Sequence, residues 1–182
     1  MRLRQIEERF GNRVVIQRRS FALRPSPDPT AKFRGTHREQ GWQRAARLAA
    51  PDGVAFKMWE QEDFPSWSIP ALAAAKCAAL QGPEAYERIH YALFEAFFTR
   101  GKNIAKRDEL FAIAHECGLD MDRFRADYES GEGQKRAIEE YEEAINRLMV
   151  NAVPTVFFDT VRVVGAVPLQ EYLDVLATLG LQ

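Results

Sequence analysis

The sequence predicts an α/β protein whose sheet is interrupted by an all-α insertion. Three observations carry this. β-branched and alternating apolar residues occur early, in "RVVIQRRSFAL", and again late, in "VPTVFFD" and "VRVVGAV". Between them, about residues 66–148, the patterns are helical. A last amphipathic pattern, "PLQEYLDVLATLG", closes the chain.

Each element has a local reason. "RLRQIEERFG" places Leu3, Ile6 and Phe10 on one helical face, and Gly11 ends it. "RVVIQRRSFAL" reads as a strand because Val14, Val15 and Ile16 are β-branched and Phe21 and Leu23 alternate with polar neighbours. Three prolines in "RPSPDPTAKFRG" break regular structure. Thr36 is placed to cap a short helix, "THREQGWQRAARLAA", and "GVAFKMW" reads as extended. "SWSIPALAAAKCAALQG" begins at a Ser68 cap, and "PEAYERIHYALFEAFFTRG" opens on Pro83 with a stripe of Tyr86, Ile89, Leu93, Phe94, Phe97 and Phe98. "RDELFAIAHECG", "DMDRFRADY" and "GEGQKRAIEEYEEAINRLMVN" complete the helical block, the last with a Glu-rich face read as solvated. "VPTVFFD" and "VRVVGAV" meet at Asp159-Thr160 as a hairpin. Leu169, Tyr172, Leu173 and Leu176 of the last helix then face the sheet. The expected division is residues 1–65 with 149–182 for the sheet domain, and 66–148 for the insertion.

Composition narrows the function. No apolar run approaches the roughly 20 residues that cross a bilayer, and no signal peptide is read, so a soluble cytoplasmic protein without membrane partners is expected. The net charge is −1, yet residues 1–50 carry 12 Lys/Arg against 4 Asp/Glu. No nucleic-acid motif accompanies that basic end, and no nucleic-acid partner is expected. Cys77 and Cys117 lie 40 residues apart in apolar surroundings and read as buried core thiols. His37, His90 and His115 have no ligand spacing, so no metal site is expected. Trp59, Trp67 and Glu60–Asp63 read as a solvated loop with buried indoles.

Pro154 opens a strand, where proline costs no ladder bond. Its setting, "AVPTVFFD" followed by "VRVVGAVPLQEYLDVL", resembles the C-terminal third of the thioredoxin fold in its DsbA-like branch. "PSWSIPALAAAKCAALQG" and "YALFEAFFTRGKNIAKRDELFAIAHECGLDMDRF" resemble the helical insertion of FrnE-like members. These are related to 2-hydroxychromene-2-carboxylate isomerases and kappa-class glutathione transferases. "RRSFALRP" resembles that group's second strand.

The resemblance implies a thioredoxin-like sheet with an all-α insertion, incomplete at its N-terminus. It implies a cis peptide before Pro154, with Val153, Pro154 and Thr155 binding substrate. Thr155 would point into the strand's packing or toward the site. The family's CxxC, or the serine of its isomerase and transferase relatives, would lie upstream of Met1, together with a central strand. The natural protein is therefore expected to carry roughly 15–25 more residues. No catalytic residue is expected within this sequence, since Cys77 and Cys117 fall in the insertion. The implied activity is thiol-disulfide exchange, by an oxidoreductase, on a disulfide-containing protein or a small-molecule thiol. It needs no cofactor, and a homodimer is allowed. Two alternatives remain. One is a glutathione-dependent isomerase or transferase. The other is a non-catalytic, truncated paralogue that binds partners.

Overall fold

The computed structural model describes residues 2–181. The chain divides into two compact units: Met1–Arg19 with Glu143–Gln182, and Ser20–Glu142.

In the first unit, α1 (Arg2–Phe10) ends in a 3-10 turn, Gly11–Arg13. A π-helical segment, Glu143–Arg147, precedes the hairpin of β1 (Thr155–Phe158) and β2 (Val161–Val164). These two strands are antiparallel, with Thr155 opposite Val164 and Phe158 opposite Val161. Asp159 makes the turn at φ 53°, a left-handed conformation that a short polar side chain tolerates. α8 (Leu169–Thr178) follows. Ile6, Phe10, Tyr172 and Leu176 form the buried centre. Leu169, Leu173, Val156, Phe158 and Val163 pack on it, so α8 meets the sheet through the residues its pattern indicates. Arg2 ties the ends of the unit together, donating to the carbonyls of Ala166 (3.1 Å) and Val167 (2.6 Å).

The strand expected in "RVVIQRRSFAL" does not form. Burial does alternate from Val14 to Leu23, and Val14 and Ile16 pack on the apolar centre while Val15 is exposed. The burial alternates as in a strand, but none of the described residues gives this stretch a ladder partner, and β1 and β2 pair only with each other. Alternation specifies a face; a strand also needs a neighbour.

In the second unit, α2 (His37–Ala49) is capped by Thr36, whose hydroxyl accepts from the Arg38 N–H. α3 (Ile69–Ala79) is buried on almost every side among α4 (Pro83–Phe94), α5 (Arg107–Glu116), α6 (Met121–Glu129) and α7 (Glu132–Glu142). Its alanines let these helices approach closely. The closest approach is at Gly133, where a Cβ would lie 2.5 Å from both the Ala73 carbonyl oxygen and Cys77 Sγ. Ser68 does not cap α3 as expected; its hydroxyl accepts from the Arg24 N–H at 3.0 Å. The helix expected from Pro83 to Gly101 changes at Glu95–Thr99 into a π-helical turn.

Residues 20–65 belong with the helices, not with the hairpin as the expected boundary had it. The reason is aromatic. Phe33, Trp42, Trp59 and Phe64 are buried together with Phe97 and Phe98. Trp42 lies 5.0 Å from Phe97 and 4.9 Å from Phe98, ring centre to ring centre. The stretch "GVAFKMW" is extended but forms no strand; the Lys57 N–H donates to the Phe98 carbonyl and its own carbonyl accepts from Trp42 Nε1.

The Glu-rich face of α7 is not wholly solvated. Glu140 takes Lys76 Nζ at 2.6 Å and the Ser20 N–H at 2.6 Å, and Lys76 is itself buried. A lysine in an alanine-rich core would be costly alone, so the carboxylate is its required companion.

Candidate substrate-binding edge

The three residues singled out in the sequence sit at the entry to β1. The Val153–Pro154 peptide is cis. The Pro154 carbonyl accepts from the Gly165 N–H at 2.8 Å, which extends the hairpin pairing one step beyond the ladder. Thr155 Oγ1 donates to the Ala152 carbonyl at 2.7 Å. That hydroxyl therefore closes the turn before the strand. Val153 and Pro154 are exposed. One edge of β1 pairs with β2, and no described strand occupies the other.

The hairpin has two faces of different character. Val156, Phe158 and Val163 pack inward on the α1–α8 cluster. Residues directly opposite in an antiparallel pair share a face, so Thr155, Phe157, Arg162 and Val164 form the outer one. Phe157 and Val164 are 41% and 43% exposed. The sequence reading passed over Phe157 and Arg162; strand alternation, counted from Val156 and Phe158 as inward residues, assigns both to this face.

The cysteines lie elsewhere. Cys77 is fully buried within α3, and burial pushes its thiol up to about 12; Asp127 adds to the effect, while the Gly133 N–H works against it. Cys117, the residue that ends α5, is half-buried rather than a core thiol. Burial raises its pKa too, against the pull of Arg88. A thiol reacts as thiolate, and reactive thiols gather at helix N-termini beside cations. Cys77 sits in the last turn of α3 and Cys117 just past the end of α5, where the helix dipole opposes negative charge. Both are protonated at neutral pH. Among the described residues no group of three or more His, Cys, Asp or Glu side chains is arranged to hold a metal ion. No described helix is long and apolar enough to cross a membrane.

A mostly helical chain with a small two-stranded sheet, an exposed proline at the strand entry and a closing helix defines a thioredoxin-like protein of the DsbA type. The family model of the DSBA-like thioredoxin domain matches residues 1–177, and the chain belongs to that family. It is 32% identical over 126 residues to the ClpXP adapter protein SpxH of Halalkalibacterium halodurans, an alignment covering 65% of this chain and 40% of the relative. It is 36% identical over 113 residues to SpxH of Shouchella clausii, covering 58% and 37%. The matches thus span about two fifths of the length of these curated relatives. The solved structure of the probable DsbA oxidoreductase of Streptomyces coelicolor has a TM-score of 0.77 at 21% identity, covering 97% of this chain and 81% of that one. A second solved structure, from Nitrosomonas europaea, gives 0.75 at 18%, covering 98% and 89%. At such identities the likeness is one of fold.

Proposed function

We propose that this chain is the polypeptide-binding body of a DsbA-like thiol-disulfide oxidoreductase acting in the cytoplasm. The observation that carries the reading is the entry to β1. Val153 and Pro154 stand exposed at the start of β1. The main chain at Val153, ahead of the paired length of the strand, takes an extended polypeptide in the manner of strand addition. Cys77 and Cys117 are protonated and badly placed, so neither is the redox thiol of this reading. In that chemistry a thiolate attacks a substrate disulfide, one cysteine of the substrate leaves as thiolate, and the second thiol of the pair resolves the mixed disulfide. The bound strand holds the substrate sulfur in line for the attack.

A second reading is a non-catalytic adapter. It is favoured by the two curated relatives named as ClpXP adapters and by the lack of an activated thiol in this chain. One experiment separates the two. The protein purified from its source is assayed for insulin reduction with dithiothreitol, beside residues 1–182 made alone. The oxidoreductase reading expects activity in the source protein that survives replacement of Cys77 and Cys117 by serine. Background rates for the source protein overturn that reading and leave the adapter.

A further inference from the structure

We propose that the protein pairs with a second copy of itself by crossing α2 of each copy over α4 of the other. Both helices belong to the second unit, every residue of which is described. α2 buries Trp42 against Phe97 and Phe98, which follow α4 closely in the chain. α4 buries Ala85, Ile89 and Leu93. Away from these contacts each helix shows an apolar residue: Leu48 of α2 is 52% exposed and Phe94 of α4 51%. Gly41 stands on the same stripe of α2 as Arg44 and Leu48. It is exposed, its backbone is not left-handed, and a Cβ added to it would meet nothing within 4 Å. A glycine in mid-helix weakens the helix, and none of the described residues asks for one there. A partner helix passing close over α2 does.

Charge identifies the partner. Arg44 and Arg47 are exposed on α2, and among the described residues no carboxylate pairs with either. α4 is the complement. Glu84 in its first turn and Glu95 just past its end are exposed, lie on one stripe, and have no cation paired with them among the described residues. Arg88, one turn on from Glu84, is drawn instead to the Cys117 carbonyl at 2.8 Å. A basic helix face with one exposed apolar residue and an acidic face with another thus occur on the same unit. Crossed, they bring Arg44 and Arg47 to Glu95, with Glu84 adding to the field, and lay Leu48 on Phe94. A two-fold axis makes the contact twice, once from each α2, so the pair closes instead of growing into a filament. A foreign acidic helix would satisfy α2 and leave the α4 face bare; a second copy covers both.

Sedimentation equilibrium on residues 1–182 is expected to show a dimer at about 100 μM. Arg44→Glu with Arg47→Glu, and separately Glu84→Lys with Glu95→Lys, are each expected to give monomer. Mixing the two charge-swapped proteins restores the dimer, because both crossings then join opposite charges. Gly41→Gln is expected to raise the urea midpoint, since glycine is the poorer helix former, and to weaken the dimer at least about tenfold. Circular dichroism confirms that each variant folds. If a swap does not, salt decides on the wild type: the dimer is expected to weaken at least about tenfold between about 50 and 500 mM NaCl. A monomer at about 100 μM overturns the proposal, as does a dimer that either swap leaves intact, that salt does not weaken, or that Gly41→Gln does not weaken. Swapped proteins that stay monomeric when mixed overturn it too, because α2 and α4 are then not each other's partners.

Discussion

Replacing Gly133 by alanine gives a prediction whose sign separates two outcomes. Gly133 lies in the first turn of α7 and has no left-handed backbone, so helix propensity alone favours alanine by about 1 kcal/mol. Packing says the opposite. The new Cβ would sit 2.5 Å from the Ala73 carbonyl oxygen and 2.5 Å from Cys77 Sγ, with the Ala73 carbonyl carbon at 3.2 Å. Ordinary contact for such atoms begins near 3.4 Å, so about 1 Å of separation must be found. The sulfur can swing aside, but the carbonyl belongs to the backbone of α3 and moves only if the helix moves. Overpacking of this kind costs roughly 1–3 kcal/mol. α3 is buried on nearly all sides, so the shift reaches its other neighbours and the cost falls at the upper end. The net expectation is a loss of about 1–2 kcal/mol after the propensity gain. Urea unfolding followed by far-UV circular dichroism measures it as a lower midpoint at unchanged slope. Gly133→Ala with Cys77→Ala recovers only part of the loss, because the carbonyl contact persists. A Gly133→Ala protein more stable than wild type would refute the close approach of α3 and α7.

Further outcomes follow from other parts of the structure. Glu140→Ala strands Lys76 in the core and is expected to cost about 3–5 kcal/mol in urea unfolding. Burial alone would raise the Glu140 carboxyl, but the bonds from Lys76 and the Ser20 N–H outweigh it and hold the folded pKa below its ordinary 4.5. A depressed folded pKa means that this stability is present above the unfolded value and is lost as pH falls through the lower folded one. Wild type therefore loses stability across that acid range, and the Glu140→Gln protein loses less. Ellman's reagent is expected to titrate Cys117 slowly, faster as pH rises, and Cys77 only on unfolding; rapid native labelling of Cys77 would contradict its burial. Trp59 Nε1 finds no acceptor among the described residues, while Trp42 Nε1 donates to Lys57. Trp42→Phe is thus expected to cost about 1 kcal/mol more than Trp59→Phe by thermal unfolding, the worth of one hydrogen bond.

Much of this architecture was legible because local signals and burial agreed. Pro83, Thr36 and Asp120 open helices where their chemistry says they should. The hairpin follows from two β-branched runs around Asp159-Thr160, and the closing helix from its apolar stripe. The misses share a cause, which is dependence on distant partners. Val14–Leu23 alternates like a strand, but pairing cannot be read from one segment's own pattern. Ser68 looks like a cap and instead holds the Arg24 N–H, a partner 44 residues away. Glu140 sits in a charged run that reads as solvated, and only the fold brings Lys76 to it. The unit boundary moved because aromatic residues on both sides of it share one cluster. At the candidate site, Val153, Pro154 and Thr155 were found by resemblance. Arg162 was not, since a lone arginine in a strand has meaning only when its carbonyl partners are known.

The most direct test of the central claim is activity. The protein purified from its source is assayed for insulin reduction with dithiothreitol, beside a variant with Cys77 and Cys117 replaced by serine. The account predicts reduction well above the dithiothreitol background in both. Reduction no faster than dithiothreitol alone, or activity lost with Cys77 and Cys117, would contradict it.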